Sequence, residues 1–312
     1  MSTPTSNLLN ISAVARETGL SRDVLRKWES RYGFPSPQRD ALDERIYPDE
    51  QVQRLRLIKR LMDSGLRPSN LVNQDATALS HLAHSLPQRI HPEARHDIEN
   101  IGLPLIKQAN PEDLRSYLYR NLLQQGIESF VLDMLSPLNQ AVGEAWSRGD
   151  LNIHEEHLYT EVAQWLLRDV MTKLSNPHGS PRVLLTTLPE EQHGLGILMV
   201  AALFSLHGAH CISLGTQTPL QTLTQAALAH QADIVVLSFS SNYPIRQIAP
   251  ALIELRQQLP SGAEIWAGGC GVARVVVSAE TAQCSASLSD AVTQLLTWQK
   301  RKNNLANSVP VD

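Results

Sequence analysis

Three cysteines in 312 residues, Cys211, Cys270 and Cys284, show no metal-ligand spacing, and so odd and sparse a set argues against a disulfide framework. Long apolar runs are missing too: nothing approaches the roughly 18 uninterrupted apolar residues of a membrane span. The start, Met1-Ser-Thr-Pro-Thr-Ser-Asn7, lacks the basic and apolar segments of an export leader. Together these absences lead us to expect a cytoplasmic protein with no membrane partner. His154 and His157 make a His-x-x-His pair, but no third ligand accompanies them, so no free metal site is expected. What remains is a chain with 42 % hydrophobic residues, enough for several cores, and a length that fits two or three domains.

The net charge of -4 is unevenly spread. Residues 1–72 hold 12 Lys+Arg against 9 Asp+Glu, a balance of +3, and the other 240 hold 15 against 22, a balance of -7. A basic head on an acidic body is compatible with nucleic-acid binding.

The centre of the chemistry is Leu188-Pro-Glu-Glu-Gln-His-Gly-Leu-Gly196, in which Glu191, His193 and Gly196 form a Glu-x-His-x-x-Gly set. An apolar, β-branched run (182–187) precedes it and helical periodicity (194–207) follows, so His193 falls on a strand-to-helix loop. In an open parallel sheet that loop lies at the carboxyl end of the strand, where ligands bind. Further strands are expected at 208–215, ending in Gly215, at 233–239 with Ser238 near its end, and at 264–269, closed by Gly268 and Gly269. All these residues fall at one edge of the expected sheet. An ordinary doubly wound domain with small residues at tight turns is the plain alternative.

This order resembles the cobalamin-binding domain shared by methionine synthase, the cobalamin mutases and a class of bacterial regulators. The resemblance implies that His193 replaces the dimethylbenzimidazole base as lower ligand to cobalt. It also implies that Ser238, Gly268 and Gly269 line a slot for the displaced nucleotide tail. Glu191, where the family often has aspartate, would hold the other ring nitrogen and set the tautomer.

At the amino terminus, residues 10–19 read as a short helix stopped by Gly19, and Ser21 caps a second helix from Arg22 to Tyr32. Val24, Leu25 and Trp28 face the first helix, whereas Arg22 and Arg26 share the opposite face, where a recognition helix presents base-reading side chains. A β-ribbon follows, returning through Arg45-Ile-Tyr47, and then a helix from Asp49 to Met62. Trp28-x-x-Arg31-Tyr32-Gly33 with this wing and helix resembles the MerR family's winged helix-turn-helix. The resemblance implies operator DNA as a partner and Arg22, Arg26, Lys27, Arg39, Arg45 and Tyr47 as contacts. The wing departs from the pattern: Asp43-Glu44 stand where a glycine is usual, and acids near phosphates should cost affinity.

Between these ends, residues 73–110 are polar, broken by Pro87 and Pro92, and read as linker with weak helices. Helices are then expected at 111–125, 127–148 and 153–174, with Asn110-Pro-Glu-Asp as a strong start. Leu138, Val142 and Trp146 lie four apart on one face, and Asn152 with Glu155 makes a capping box ahead of Glu156 and His157. On their own, Trp146 reads as core and the pair as ordinary first-turn residues. Trp146-x9-Glu156-His157 resembles the CarH/LitR group of cobalamin-dependent light-responsive repressors, and the downstream motif favours that reading. The resemblance implies that the tryptophan packs on the adenosyl group of adenosylcobalamin while the glutamate and histidine fix it by hydrogen bonds. Some members carry a histidine after the tryptophan that captures cobalt once the adenosyl group leaves; here Ser147 stands in its place.

The expected architecture is therefore multidomain, α and α/β. It comprises a winged helix-turn-helix at 1–75, a linker at 76–110, a four-helix bundle at 111–175, a doubly wound, Rossmann-like parallel-sheet domain at 181–300, and a disordered tail at 301–312. The expected function, as the resemblance implies it, is a DNA-binding regulator, a repressor and not an enzyme, that holds adenosylcobalamin, assembles as a cofactor-dependent dimer or tetramer, and acts as a light sensor by releasing operator DNA on photolysis. Two alternatives stay open: a MerR-type regulator that answers another signal, and a cobalamin carrier module for a methyltransferase.

Overall fold

The computed structural model describes residues 8–18, 20–63, 66–85, 96–240 and 242–307. The chain divides into two units, Met1–Val162 and Ala163–Asp312, with the division inside one long helix.

In the first unit, β1 (Leu8–Asn10) leads into α1 (Ile11–Thr18), where the Asn10 side chain accepts from Ala13 N at 2.9 Å. Ser21 caps α2 (Arg22–Tyr32) by accepting from Val24 N, and Gly33, at φ 68°, ends it in the left-handed conformation that glycine adopts without steric cost. β2 (Gln38–Arg39) and β3 (Arg45–Pro48) follow, then α3 (Asp49–Asp63). β1, too short to be legible as a strand, completes an antiparallel sheet of order β1-β3-β2. Val14, Leu25, Trp28, Tyr47, Leu55 and Ile58 form the core beneath it. After α4 (Pro68–Leu71) comes α5 (Ala76–Ser85), which packs on α3 and places Leu79 in that same core. The head thus continues past residue 75, into the stretch expected as linker; Pro87 and Pro92 lie outside the described residues. A buried ion pair, Arg56 Nη2 to Glu17 Oε2 at 2.5 Å, ties α3 to α1.

The bundle begins with a π-helical turn, Ile98–Gly102, that runs into α6 (Leu103–Lys107). Asn110 caps α7 (Pro111–Gln125), accepting from Glu112 N and Asp113 N. From α8 (Ile127–Ser129) the chain continues through a second π segment, Phe130–Leu135, into α9 (Ser136–Ser147), and α10 (Ile153–Leu174) follows. Leu114, Leu118, Phe130, Leu138, Val142 and Tyr159 are buried among these helices.

The second unit holds five parallel strands in the order β5-β4-β6-β7-β8, namely β4 (Arg182–Thr186), β5 (His210–Ser213), β6 (Ile234–Ser238), β7 (Glu264–Gly268) and β8 (Gln283–Ser285). Successive side chains on a strand point to opposite faces. Accordingly Val183, Leu185, Val236 and Trp266 pack with α11 (Leu195–Leu206) and α14 (Leu288–Asn307), while Leu184, Val235, Leu237 and Ile265 pack with α12 (Leu220–Ala229) and α13 (Ile245–Gln258). A sheet covered on both faces explains why these strands read as continuous apolar runs.

The tail expected to be disordered from 301 is helical through Asn307. Lys302 Nζ sits 5.2 Å from the ring centre of buried Trp298, and Arg301 pairs with Glu264 at 2.8 Å, so the polar composition is that of a helix's outer face. No helix among the described residues is long and apolar enough to cross a membrane.

Candidate functional site

β4 lies between β5 and β6, so the chain leaves it toward one side for the next strand and returns on the other. This is the topological switch point of a doubly wound sheet, and the crevice outside the carboxyl ends of β4 and β6 is its binding edge. The Glu-x-His-x-x-Gly loop starts there, between β4 and α11.

Glu191 is the anchor of that loop. It is 1 % exposed, and its Oε1 accepts from His193 Nδ1 at 2.6 Å and from His193 N at 3.0 Å. Its Oε2 accepts from Ser240 N at 2.7 Å, which joins the loop after β4 to the loop after β6. Burial pushes the Glu191 carboxyl upward, but the hydrogen bonds from His193 and Ser240 prevail and hold it down at about 2. An ionised carboxylate only accepts, so Nδ1 of His193 is the protonated nitrogen and Nε2 carries the ring's lone pair. The His193 side chain is 59 % exposed, which suits a residue that presents its ring outward.

The other residues expected at this edge converge on the same crevice. A Cβ on Gly196 would lie 3.2 Å from Ser238 Oγ, so these two are in contact across the switch point. Ser238 is paired in register with Gly268. Gly269, at φ 95°, would set a Cβ 2.3 Å from the Phe239 carbonyl oxygen, so it is required by the backbone of the neighbouring loop itself. Gly215, at φ 79°, turns the chain after β5, and its carbonyl accepts from Thr186 Oγ1 at 3.0 Å. An exposed imidazole with a pinned tautomer, on the sheet edge that also carries Gly196, Ser238 and Gly268, has the donor chemistry and the small neighbours that suit a bulky corrinoid with an axial nitrogen ligand.

Three residues that sequence reasoning passed over complete the edge: Thr186 at the end of β4, Thr187 just after it, and Ser240, whose backbone N–H holds Glu191. The Thr-Thr pair closing an apolar strand was the available signal; a backbone donor leaves none.

In the first unit, α9 buries Leu138 and Val142 but leaves Trp146 49 % exposed at its carboxyl end, so the three do not share one buried stripe. Glu155 Oε2 accepts from Asn152 N at 2.6 Å, the reciprocal arm of the capping box. Glu156 is held by Thr160 Oγ1 at 2.8 Å and meets His157 Nδ1 at 2.7 Å. Both rings of this group, Trp146 and His157, are exposed.

On the head, Arg22, Arg26 and Lys27 stand exposed on α2. Arg39 donates to the Asp43 carbonyl at 2.6 Å, and Arg45 is drawn back to Glu29 at 2.9 Å. Asp43, at φ 61°, occupies the position where glycine is usual, and Asp40 Oδ1 accepts from Leu42 N and Glu44 N to hold the turn. Tyr47 requires correction: it is 0 % exposed and belongs to the core, so its ring supports the wing from beneath and does not reach DNA.

Comparison with known proteins agrees with both ends of the chain. Residues 9–72 match the family described as MerR HTH family regulatory protein, and residues 181–276 match the B12 binding domain, a span that takes in His193, Ser238 and Gly268. The chain is 30 % identical over 233 residues to the HTH-type transcriptional repressor CarA of Myxococcus xanthus, covering 74 % of this chain and 76 % of CarA. The chain belongs to the CarA/CarH family of MerR-type regulators. To the repressor CarH of the same organism it is 28 % identical over 271 residues, covering 83 % of this chain and 88 % of CarH. Among solved structures it is similar to the monomethylamine corrinoid protein of Methanosarcina barkeri, with a TM-score of 0.46 and 13 % identity, covering 67 % of this chain and 98 % of that one. A CarA/CarH-type chain is a transcriptional regulator with a DNA-binding head and a cobalamin-binding domain, not an enzyme, which sets aside the methyl-carrier alternative.

Proposed function

We propose that this regulator binds adenosylcobalamin, holds its operator in the dark as a cofactor-dependent homo-oligomer, and releases DNA in light. The observation that carries the adenosyl and light reading is Trp146: a tryptophan half-exposed at a helix end, followed by a half-buried glutamate and an exposed histidine held against each other, is a surface built to be covered. When bound, adenosylcobalamin supplies a cobalt–carbon bond that light cleaves. His193 would serve as the lower ligand through Nε2, with Glu191 fixing its tautomer and ring plane. Gly196, Gly215, Ser238, Gly268 and Gly269 would accommodate the corrin and its tail. Trp146 offers a flat face to the adenine, and Glu156 and His157 offer hydrogen-bond partners to the ribose hydroxyls. Arg22, Arg26 and Lys27 present the cationic face of α2 to the operator.

Magnitude restricts how such a switch works. Moving a two-state equilibrium from nearly all one state to nearly all the other takes about 5.5 kcal/mol. Burying or releasing one large apolar side chain supplies roughly 1.5 to 3 kcal/mol. A shift of Trp146 alone is therefore insufficient, and it must be summed over protomers or accompanied by movement of the bundle.

The test is the absorption spectrum and gel-filtration profile of the purified chain with adenosylcobalamin in the dark, repeated after green light. A bound cofactor whose spectrum and elution volume change together supports the reading. Binding with no change of size removes the oligomer switch, and identical spectra before and after light remove the light response.

A further inference from the structure

Thr187, the residue after β4, is fully buried, and its hydroxyl does two things at once. Oγ1 donates to the Glu191 carbonyl at 2.6 Å and accepts from Gln217 N at 2.9 Å. One oxygen atom therefore joins the loop that carries Glu191 and His193 to the loop that follows β5. Its own carbonyl accepts from Thr218 N at 2.8 Å, and Thr186 reinforces the seam through Thr218 Oγ1 at 2.7 Å.

Each of the two joined loops contains a non-glycine residue in the left-handed region, Glu190 at φ 73° and Gln217 at φ 62°. That conformation is disfavoured for residues with a Cβ and persists where neighbouring structure enforces it. The two atoms gripped by the Thr187 hydroxyl are the carbonyl of the residue after Glu190 and the N–H of Gln217 itself. The hydroxyl therefore acts at the two points where the backbone is most inclined to relax, and His193 lies two residues beyond one of them.

We propose that Thr187 is a positioning residue for cobalamin coordination: its hydroxyl locks the two loops in their strained conformations and thereby sets where the His193 imidazole stands. The inference rests on the reading of His193 as the axial ligand. Only a hydroxyl donates on one side and accepts on the other in this volume; valine matches its shape and does neither, and serine does both. In T187V a buried carbonyl and an amide N–H lose their partner together.

The experiment uses the full chain with 15N-labelled histidine, as wild type, T187V, T187S and H193A, loaded with cob(II)alamin, whose electron paramagnetic resonance spectrum reports the nitrogen isotope bound to cobalt. Wild type and T187S are expected to show histidine coupling, and T187V to lose all or part of it, with cobalamin affinity about tenfold lower or more. On the cofactor-free chain, amide hydrogen exchange of segment 214–219 is expected to quicken about tenfold in T187V and to stay at the wild-type rate in T187S. If wild type and H193A give the same spectrum, the ligand assignment fails and the inference falls with it. If wild type shows histidine coupling and T187V matches it in coupling, affinity and exchange, the role of Thr187 is overturned while the ligand assignment stands. Should the valine chain not fold, T187A is read in its place with the same two outcomes.

Discussion

Replacing Glu191 by glutamine tests the anchor of the cofactor loop without changing its size. The Glu191 carboxyl is 1 % exposed and held at about 2 by His193 and Ser240 against burial, compared with an ordinary value of 4.5. That separation corresponds to about 3 kcal/mol favouring the folded state. A carboxyl whose folded value lies below its unfolded value binds fewer protons when folded. Its contribution is therefore complete above pH 4.5 and is lost as pH falls through about 2. Glutamine offers one acceptor oxygen, and its amide group then confronts either Ser240 N or the His193 donors, so E191Q should be less stable near neutral pH by about 2 kcal/mol. Urea titrations read through amide protection in β4 and β6, from about pH 3 to about pH 7, should show the two chains converging as pH falls. A difference that stays constant across that range would refute the reasoning, because an uncharged packing defect has no pH dependence.

Arg26→Ala should weaken operator binding and reduce the slope of log K against log salt by about one, as expected if Arg26 meets a phosphate; an unchanged mobility shift removes it from the interface. Tyr47→Phe should leave operator affinity unchanged in the same assay, since Tyr47 is buried and its hydroxyl has no hydrogen-bond partner among the described residues. Trp146→Ala should cost under about 1 kcal/mol in thermal unfolding of the cofactor-free chain, because its ring is already half-exposed. The same substitution should abolish any preference for adenosylcobalamin over methylcobalamin in equilibrium dialysis.

Legibility in the sequence followed physical cause. Apolar, β-branched runs yielded the strands around His193, because a sheet buried on both faces writes itself as stretches such as Val183-Leu-Leu185. Caps marked their helices equally well, since Ser21 and Asn110 each satisfy a backbone donor at a helix start. β1 and β8 escaped because three residues are too few to show a period. The last helical turns were misread because Arg301 and Lys302 look like tail composition until Glu264 and Trp298 are placed beneath them. Tyr47 differs from its expectation for a related reason: the resemblance implies a DNA contact in the wing, and only the fold reveals which side of β3 the ring occupies. At the cofactor edge, Glu191 and His193 were legible as a local pattern, whereas Ser240 is 49 residues away and acts through its backbone.

The strand order also imposes a sequence in time. β4, the first strand of its sheet to be synthesised, lies between two neighbours made later, and the second oxygen of Glu191 waits for Ser240, 49 residues downstream. At typical elongation rates that interval is roughly three to ten seconds. Throughout it, the winged head is already synthesised, Leu79 being the last of the described residues in its core. A chain in the middle of translation thus owns its DNA-binding head before Glu191 can be gripped from both sides, and its cobalamin-binding domain stays incomplete until β6 and the turn beyond it arrive.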